Sequence, residues 1–208
     1  MNAALTIMPR RALLAGLLVA GLSACGADRV YAPDEAVQRA IYVSDEPPSI
    51  TLFTVQRRYD GSGGHSALMI NGSQRVIYDP AGTWHHPSMP ERYDLHYGIT
   101  DRMKAFYIDY HARASWDVLE QTVPVTREVA DLAIRRAIEE GATPKGFCGA
   151  SIAAILRDVP GFESIPATMA PMPISRAFDR LPGEVTVRHQ DSDSDNNKPL
   201  LAAQAAQN

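Results

Sequence analysis

The run Gly64-His65-Ser66-Ala67-Leu68-Met69-Ile70, then Asn71-Gly72-Ser73, then Arg75-Val76-Ile77-Tyr78-Asp79 reads as a β-hairpin, two largely apolar stretches joined by turn residues. If Asn71-Gly72-Ser73 is a three-residue loop, Ile70 faces Gln74, and five steps back along each strand set His65 opposite Asp79. Directly opposed residues share a face with Cβ atoms about 5 Å apart, so an imidazole would meet a carboxylate. A two-residue loop would instead oppose His65 to Tyr78, because register decides which side chains meet. The hairpin is entered through Tyr59-Asp60-Gly61-Ser62-Gly63-Gly64, a stretch that leaves room in front of His65, and it is stopped by Pro80 and Gly82.

Working outward, Ile50-Thr51-Leu52-Phe53-Thr54-Val55 has strand composition and alternation. Residues 83–98 read as an aromatic, histidine-bearing loop with Trp84, His85, His86, Tyr93, His96 and Tyr97. Thr100 caps a helix predicted to reach about Arg113, with Met103, Phe106, Tyr107 and Tyr110 as its apolar stripe. Trp116 to Val123 reads as a strand, and Thr126 caps a second helix that Gly141 closes. A third helix opens at Cys148 and ends before Pro160-Gly161, and a short helix at 175–180 and a strand at 184–187 complete the domain. Together these elements place one domain over residues 50–189. From Gln190 on, Asp191-Ser192-Asp193-Ser194-Asp195-Asn196-Asn197 and an Ala/Gln end predict a disordered tail over 190–208.

Cys148 stands where its helix begins, and there free N–H groups and the positive end of the helix dipole stabilise a thiolate or a developing oxyanion. A thiolate nucleophile needs a base held by a third polar group. The candidates are Cys148 as nucleophile, His65 as base and Asp79 as orienter, with Tyr78, His85 and His86 as alternatives for the third place. A zinc site built from His85, His86, His96, His111, Asp79 and Cys148 is disfavoured, since adjacent His85 and His86 point to opposite faces of a strand and no HExxH or CxxC spacing occurs. Neither a metal nor a cofactor is expected.

The N-terminal residues carry a separate message. Residues 1–24 hold no acid, the pair Arg10-Arg11, and then about eleven residues without a polar side chain, too few for the roughly 20 that span a bilayer. This is the pattern of a secretory signal peptide. Its end, Leu22-Ser23-Ala24-Cys25, resembles the lipobox of bacterial lipoproteins, which implies cleavage before Cys25, lipidation of its sulfur and a tether over 25–49. The implied location is the cell envelope, facing the periplasm, and Gly26 in place of an acidic residue favours the outer membrane. The chain of 208 residues has a formal charge of −4, and without residues 1–24 it holds 18 basic against 24 acidic side chains. Nothing in that balance attracts nucleic acid, and the membrane is a partner only through the lipid on Cys25. With Cys25 alkylated, Cys148 has no disulfide partner in the chain.

Gly64-His65-Ser66-Ala67-Leu68-Met69 on a strand, a polar residue on the next strand and Phe147-Cys148-Gly149-Ala150-Ser151 at a helix start resemble the circularly permuted papain-like hydrolases of the NlpC type, the group related to lecithin retinol acyltransferase. The resemblance spans about Ile50 to Val187 in topology. It implies an α+β fold of permuted papain-like type, an antiparallel sheet packed against helices with Cys148 at a helix N-terminus, and thiol hydrolysis, with a cell-envelope peptide such as a peptidoglycan peptide as substrate. Two departures stand out: Phe147 where many members have Asn, and Asp79 where the third residue is often His. Acyl transfer or thioester hydrolysis on lipids is open to the same residues, and a non-enzymatic lipoprotein binding a partner through Trp84, Tyr93 and Tyr97 is the rival of another class.

Overall fold

The computed structural model describes residue 27 and residues 29–207, so the expected signal peptide and Cys25 lie outside the described residues. Seven strands form one antiparallel sheet in the order β4-β5-β3-β2-β1-β6-β7. They are β1 Ser49–Arg57, β2 Gly63–Asn71, β3 Arg75–Tyr78, β4 Glu91–Arg92, β5 Leu95–Tyr97, β6 Trp116–Pro124 and β7 Val185–His189. Among the described residues six helices accompany them: α1 Asp34–Ala40, α2 Asp101–His111, α3 Arg127–Glu140, α4 Cys148–Arg157, α5 Pro171–Phe178 and α6 Lys198–Ala205.

Strand alternation sends apolar side chains to both faces of the sheet, and each face is covered. Ile50, Leu52, Leu68, Ile70 and Val76 turn towards α1, α3, α4 and α5. Phe53, Ala67, Met69 and Ile77 turn towards Trp84 and α2, which lays down Met103, Phe106, Tyr107 and Tyr110. His65 lies two and four residues before Ala67 and Met69 and so belongs to the α2 face. The caps read from sequence hold, since the Thr100 hydroxyl accepts from Met103 N–H and the Thr126 hydroxyl from Val129 N–H.

The hairpin register differs from the expected one. Asn71 pairs with Arg75 and Leu68 with Tyr78, so the loop is three residues long but is Gly72-Ser73-Gln74. The frame moves by two residues across the pair, and because side chains alternate with period two, His65 and Asp79 stay on one face as diagonal neighbours. The displaced loop has a cause: Gly72 abuts the Asp131 carboxylate, which takes the Ser73 N–H.

Three other expectations are corrected. Within 83–98 the chain forms β4 and β5, strands of two and three residues. The lead-in is no bare tether where it is described. Val37 of α1 is buried in the core, Tyr42 O accepts from the Arg75 backbone N–H, and Ser44 and Glu46 hold the Arg75 guanidinium, which is fully buried and also meets Asp101. The tail expected to be disordered is ordered: α6 packs Leu200 and Leu201 on the α2 face, and residues 191–197 bond to Arg58, Arg113, Ala114 and Ser115. Composition missed this because ion pairs and backbone donors hold residues 191–197, which carry no apolar side chain to bury.

Candidate functional site

Cys148 opens α4 as expected, with Phe147 at the cap and Ser151 N–H bonded to Phe147 O. A network of buried polar groups holds the preceding loop. Tyr78 Oη donates to Gly141 O at 2.8 Å and lies 2.9 Å from Thr143 Oγ1, and Thr143 Oγ1 donates to Ser151 Oγ at 3.0 Å. Asp94 ties this loop to the end of β3, since its Oδ2 accepts from both Ala81 N–H and Thr143 N–H and its carbonyl accepts from Asp79 N–H. Asp94 holds a left-handed φ of 67° to do so.

Pairing between β2 and β3 ends at Leu68–Tyr78, so the next inward N–H of β2, that of Ser66, has no strand partner on that side. It faces the Cys148 thiol, as does the N–H of Gly149. Burial by itself raises the thiol pKa. The His65 imidazole, through hydrogen bond and charge, and these two N–H groups more than reverse it, and the thiol sits below its ordinary value. Cys148 is 8% exposed and has no disulfide partner among the described residues.

His65 Nε2 lies 2.7 Å from Asp79 Oδ1. That bond leaves Nδ1 as the ring nitrogen for the thiol. Burial would lower the His65 pKa, but the charge and hydrogen bond of Asp79, joined by Cys148, raise it to about 10. Asp79 answers in the opposite sense: burial raises it, while His65, His111 and His96 hold its carboxyl well below the usual carboxylate range. The structure thus brings together the three residues named from sequence, Cys148, His65 and Asp79.

Two residues of one helical turn, Tyr107 and His111, were not singled out as a support for that pair. Tyr107 Oη donates to Asp79 Oδ1 at 2.9 Å, the oxygen that also holds His65. Burial raises the phenol pKa well above its ordinary value, so it stays a donor. His111 stacks on His65 with ring centroids 5.6 Å apart, gives its Nδ1–H to Tyr107 O and is pushed down to about 4, chiefly by burial. Spacing on an amphipathic helix marks Tyr107 as core, and only its hydroxyl hinted at more. Asp79 Oδ2 has no hydrogen-bond partner and lies against Gly82, where a Cβ would stand 1.7 Å from it.

Of the histidines weighed as zinc ligands, His86 bonds Ser88 and Gln204 O, His96 packs edge-on against Trp84 and His85 meets Thr83 O. His65, Asp79 and His111 each place a ligand atom within 4.8 Å of the others. Within that group His65 Nε2 is bonded to Asp79 Oδ1 and His111 Nδ1 to Tyr107 O. Comparisons with protein-family models, with curated proteins and with solved structures give no match.

Proposed function

We propose that the chain is a lipid-anchored, extracytoplasmic thiol hydrolase of permuted papain-like type that cleaves an amide bond in a cell-envelope peptide. The observation that carries this reading is the alignment of a helix-terminal thiol, an imidazole facing it and a buried carboxylate 2.7 Å from the far ring nitrogen. In that order the groups form a nucleophile, a base and an orienter. The Cys148 thiolate attacks the substrate carbonyl carbon, and N–H groups at the start of α4 receive the oxyanion. The imidazolium then gives its Nδ1 proton to the leaving amine, and a thioester to Cys148 remains. His65, neutral again, takes a proton from water as that water attacks the thioester, and the acid product leaves with the thiol regenerated. Asp79 keeps its proton-free form throughout and fixes the ring.

Alkylation of Cys148 tests this reading. A thiolate paired with His65 reacts with iodoacetamide at a pH well below the free-thiol pKa of about 8.5. His65→Ala is expected to move the profile to higher pH, and Cys148→Ala to abolish hydrolysis. Resistance of Cys148 to alkylation from pH 6 to 9 in the folded chain overturns the proposal.

A further inference from the structure

A cavity of about 210 Å³ opens in front of His65, lined by Gly64, Tyr110, His111 and Trp116 and, on one side, by Asp195 and Asn197 of the chain's own C-terminal segment. Beyond Trp116 it continues into a depression of about 560 Å³ lined by Arg57, Arg58, Tyr59 and Ser115, and Trp116 and Asp195 belong to both. Gly64 makes this continuity feasible, because a Cβ there would stand 2.6 Å from the Trp116 ring. One groove therefore leads from Arg57 and Arg58 past Trp116 to His65, and Asp195 lies across it.

The segment lies there in extended form. Ala114 N–H bonds Asp193 O at 2.8 Å and Ser115 N–H bonds Asp195 Oδ1 at 3.0 Å. Arg58 reaches Asp191 O at 2.9 Å, Arg113 reaches Asp193 Oδ2 at 3.4 Å, and Asn197 Nδ2 donates to Tyr110 O at 3.3 Å. Arg58 and Arg113 are held independently by Asp117 and Asp109 of the domain, so they keep their positions when the segment leaves. What holds the segment is weak by comparison with a core element. Asp191, Asp193 and Asp195 are solvent-accessible, α6 has no fully buried residue, and an eight-residue helix is marginal by itself.

We propose that this groove is the substrate-binding surface of the hydrolase, that it takes an extended peptide bearing carboxylates, and that residues 191–197 occupy it as an internal competitor. The inference rests on the hydrolase reading above. Two backbone N–H groups and two guanidinium groups form the same pattern of donors for any extended acidic chain that replaces the segment. Because the contacts are ionic and near the surface, salt weakens them. Because the competitor is tethered, its effective concentration is in the millimolar range, and a free peptide must approach that level to replace it.

The test compares the full chain with one ending at Gln190, reading iodoacetamide incorporation at Cys148 by peptide mapping at pH 7. The shortened chain is expected to react about tenfold faster, the gain from removing a strap that is closed roughly nine-tenths of the time. Millimolar heptapeptide Asp-Ser-Asp-Ser-Asp-Asn-Asn is expected to slow the shortened chain again, and the same peptide with Asn for each Asp is not. Raised salt should speed the full chain and leave the shortened one unchanged. Leu200→Asp with Leu201→Asp in the full chain undocks α6 without deleting it and should reproduce the acceleration. Equal rates in full, shortened and undocked chains overturn the strap. Equal protection by the two peptides overturns the preference for carboxylates. If Cys148 in every form reacts no faster than an unfolded thiol, the hydrolase reading itself falls.

Discussion

Asp79 Oδ1 receives two donors, His65 Nε2–H and Tyr107 Oη–H, and this double use fixes the imidazole in one orientation. Asp79→Asn keeps the shape but presents an amide whose N–H₂ face cannot accept from His65, and loss of an orienting carboxylate lowers turnover by up to about 10⁴-fold in a serine triad. A comparable fall in kcat with the fold intact by circular dichroism is expected. Tyr107→Phe leaves His65 bonded and should lower kcat less while shifting the pH profile of Cys148 alkylation, a readout that mere packing would not move. Unchanged kcat in Asp79→Asn removes Asp79 from the site. The pair also makes stability depend on pH. The Asp79 carboxyl is depressed from 3.8, so its contribution is present above that value and is lost as pH falls through the folded pKa. The His65 imidazole is raised from 6.5 to about 10, so its contribution is complete below 6.5 and is lost as pH rises towards 10. In Cys148→Ala no thiolate titrates, and the upper limit moves below 10 because Cys148 supplies part of the His65 shift. The difference in melting temperature between Cys148→Ala and Cys148→Ala with Asp79→Asn should therefore be largest between about pH 4 and 6.5 and shrink above. A difference that grows from pH 6.5 to 9 contradicts the ion pair.

At the scale of elements, the start of α4 is set by contact as much as by its dipole. Gly149 follows Cys148, and a Cβ there would stand 2.3 Å from Met169 O, a backbone atom that cannot move alone. Ala is the better helix former by about 1 kcal/mol, yet overpacking of this kind costs about 1–3 kcal/mol, so Gly149→Ala is expected to lower stability in urea titration and to disturb the N–H that faces the thiol. A variant as stable as the parent would show that the Met169 turn yields freely. The hairpin shows why the meeting of His65 with Asp79 was legible before the register was. Shifting the loop from 71–73 to 72–74 moves one strand by two residues and preserves which face each side chain occupies, so His65 still meets Asp79, diagonally rather than head-on. Helices α2, α3 and α4 were legible from Thr100, Thr126, Gly141 and Cys148, whose cap chemistry is local. Strands β4 and β5 were not, since two and three residues are too few to show alternation and Asp94 and Tyr93 hold left-handed backbone that no pattern announces. Tyr107 and His111 were hidden for a related reason: a stripe on α2 says which side is buried and not which hydroxyl ends beside a carboxylate.

Over the whole molecule, the two ends of the chain carry what the sheet and helices do not. The C-terminal acids lie over the approach to His65, and the N-terminal end, outside the described residues, carries the proposed anchor at Cys25. No described helix is long and apolar enough to cross a membrane. Cleavage before Cys25 would leave 18 basic against 24 acidic side chains, a balance that repels an anionic surface, so the proposed attachment would have to come from acyl chains. A single chain binds reversibly and two or more hold stably, which would make the proposed thioether on Cys25 the element on which membrane residence depends. Cys25→Ser removes the only sulfur available for it, since Cys148 is buried in the domain. Cells fed labelled palmitate are expected to label the parent chain and leave Cys25→Ser unlabelled, with the variant recovered either as a soluble chain or as a precursor that retains residues 1–24. The candidate site should be untouched, so iodoacetamide should modify Cys148 in the purified variant with the parent's pH profile. Palmitate label on Cys25→Ser, or membrane residence of a processed variant, would show that the anchor lies elsewhere, while leaving the thiol, imidazole and carboxylate of the domain to be judged by their own tests.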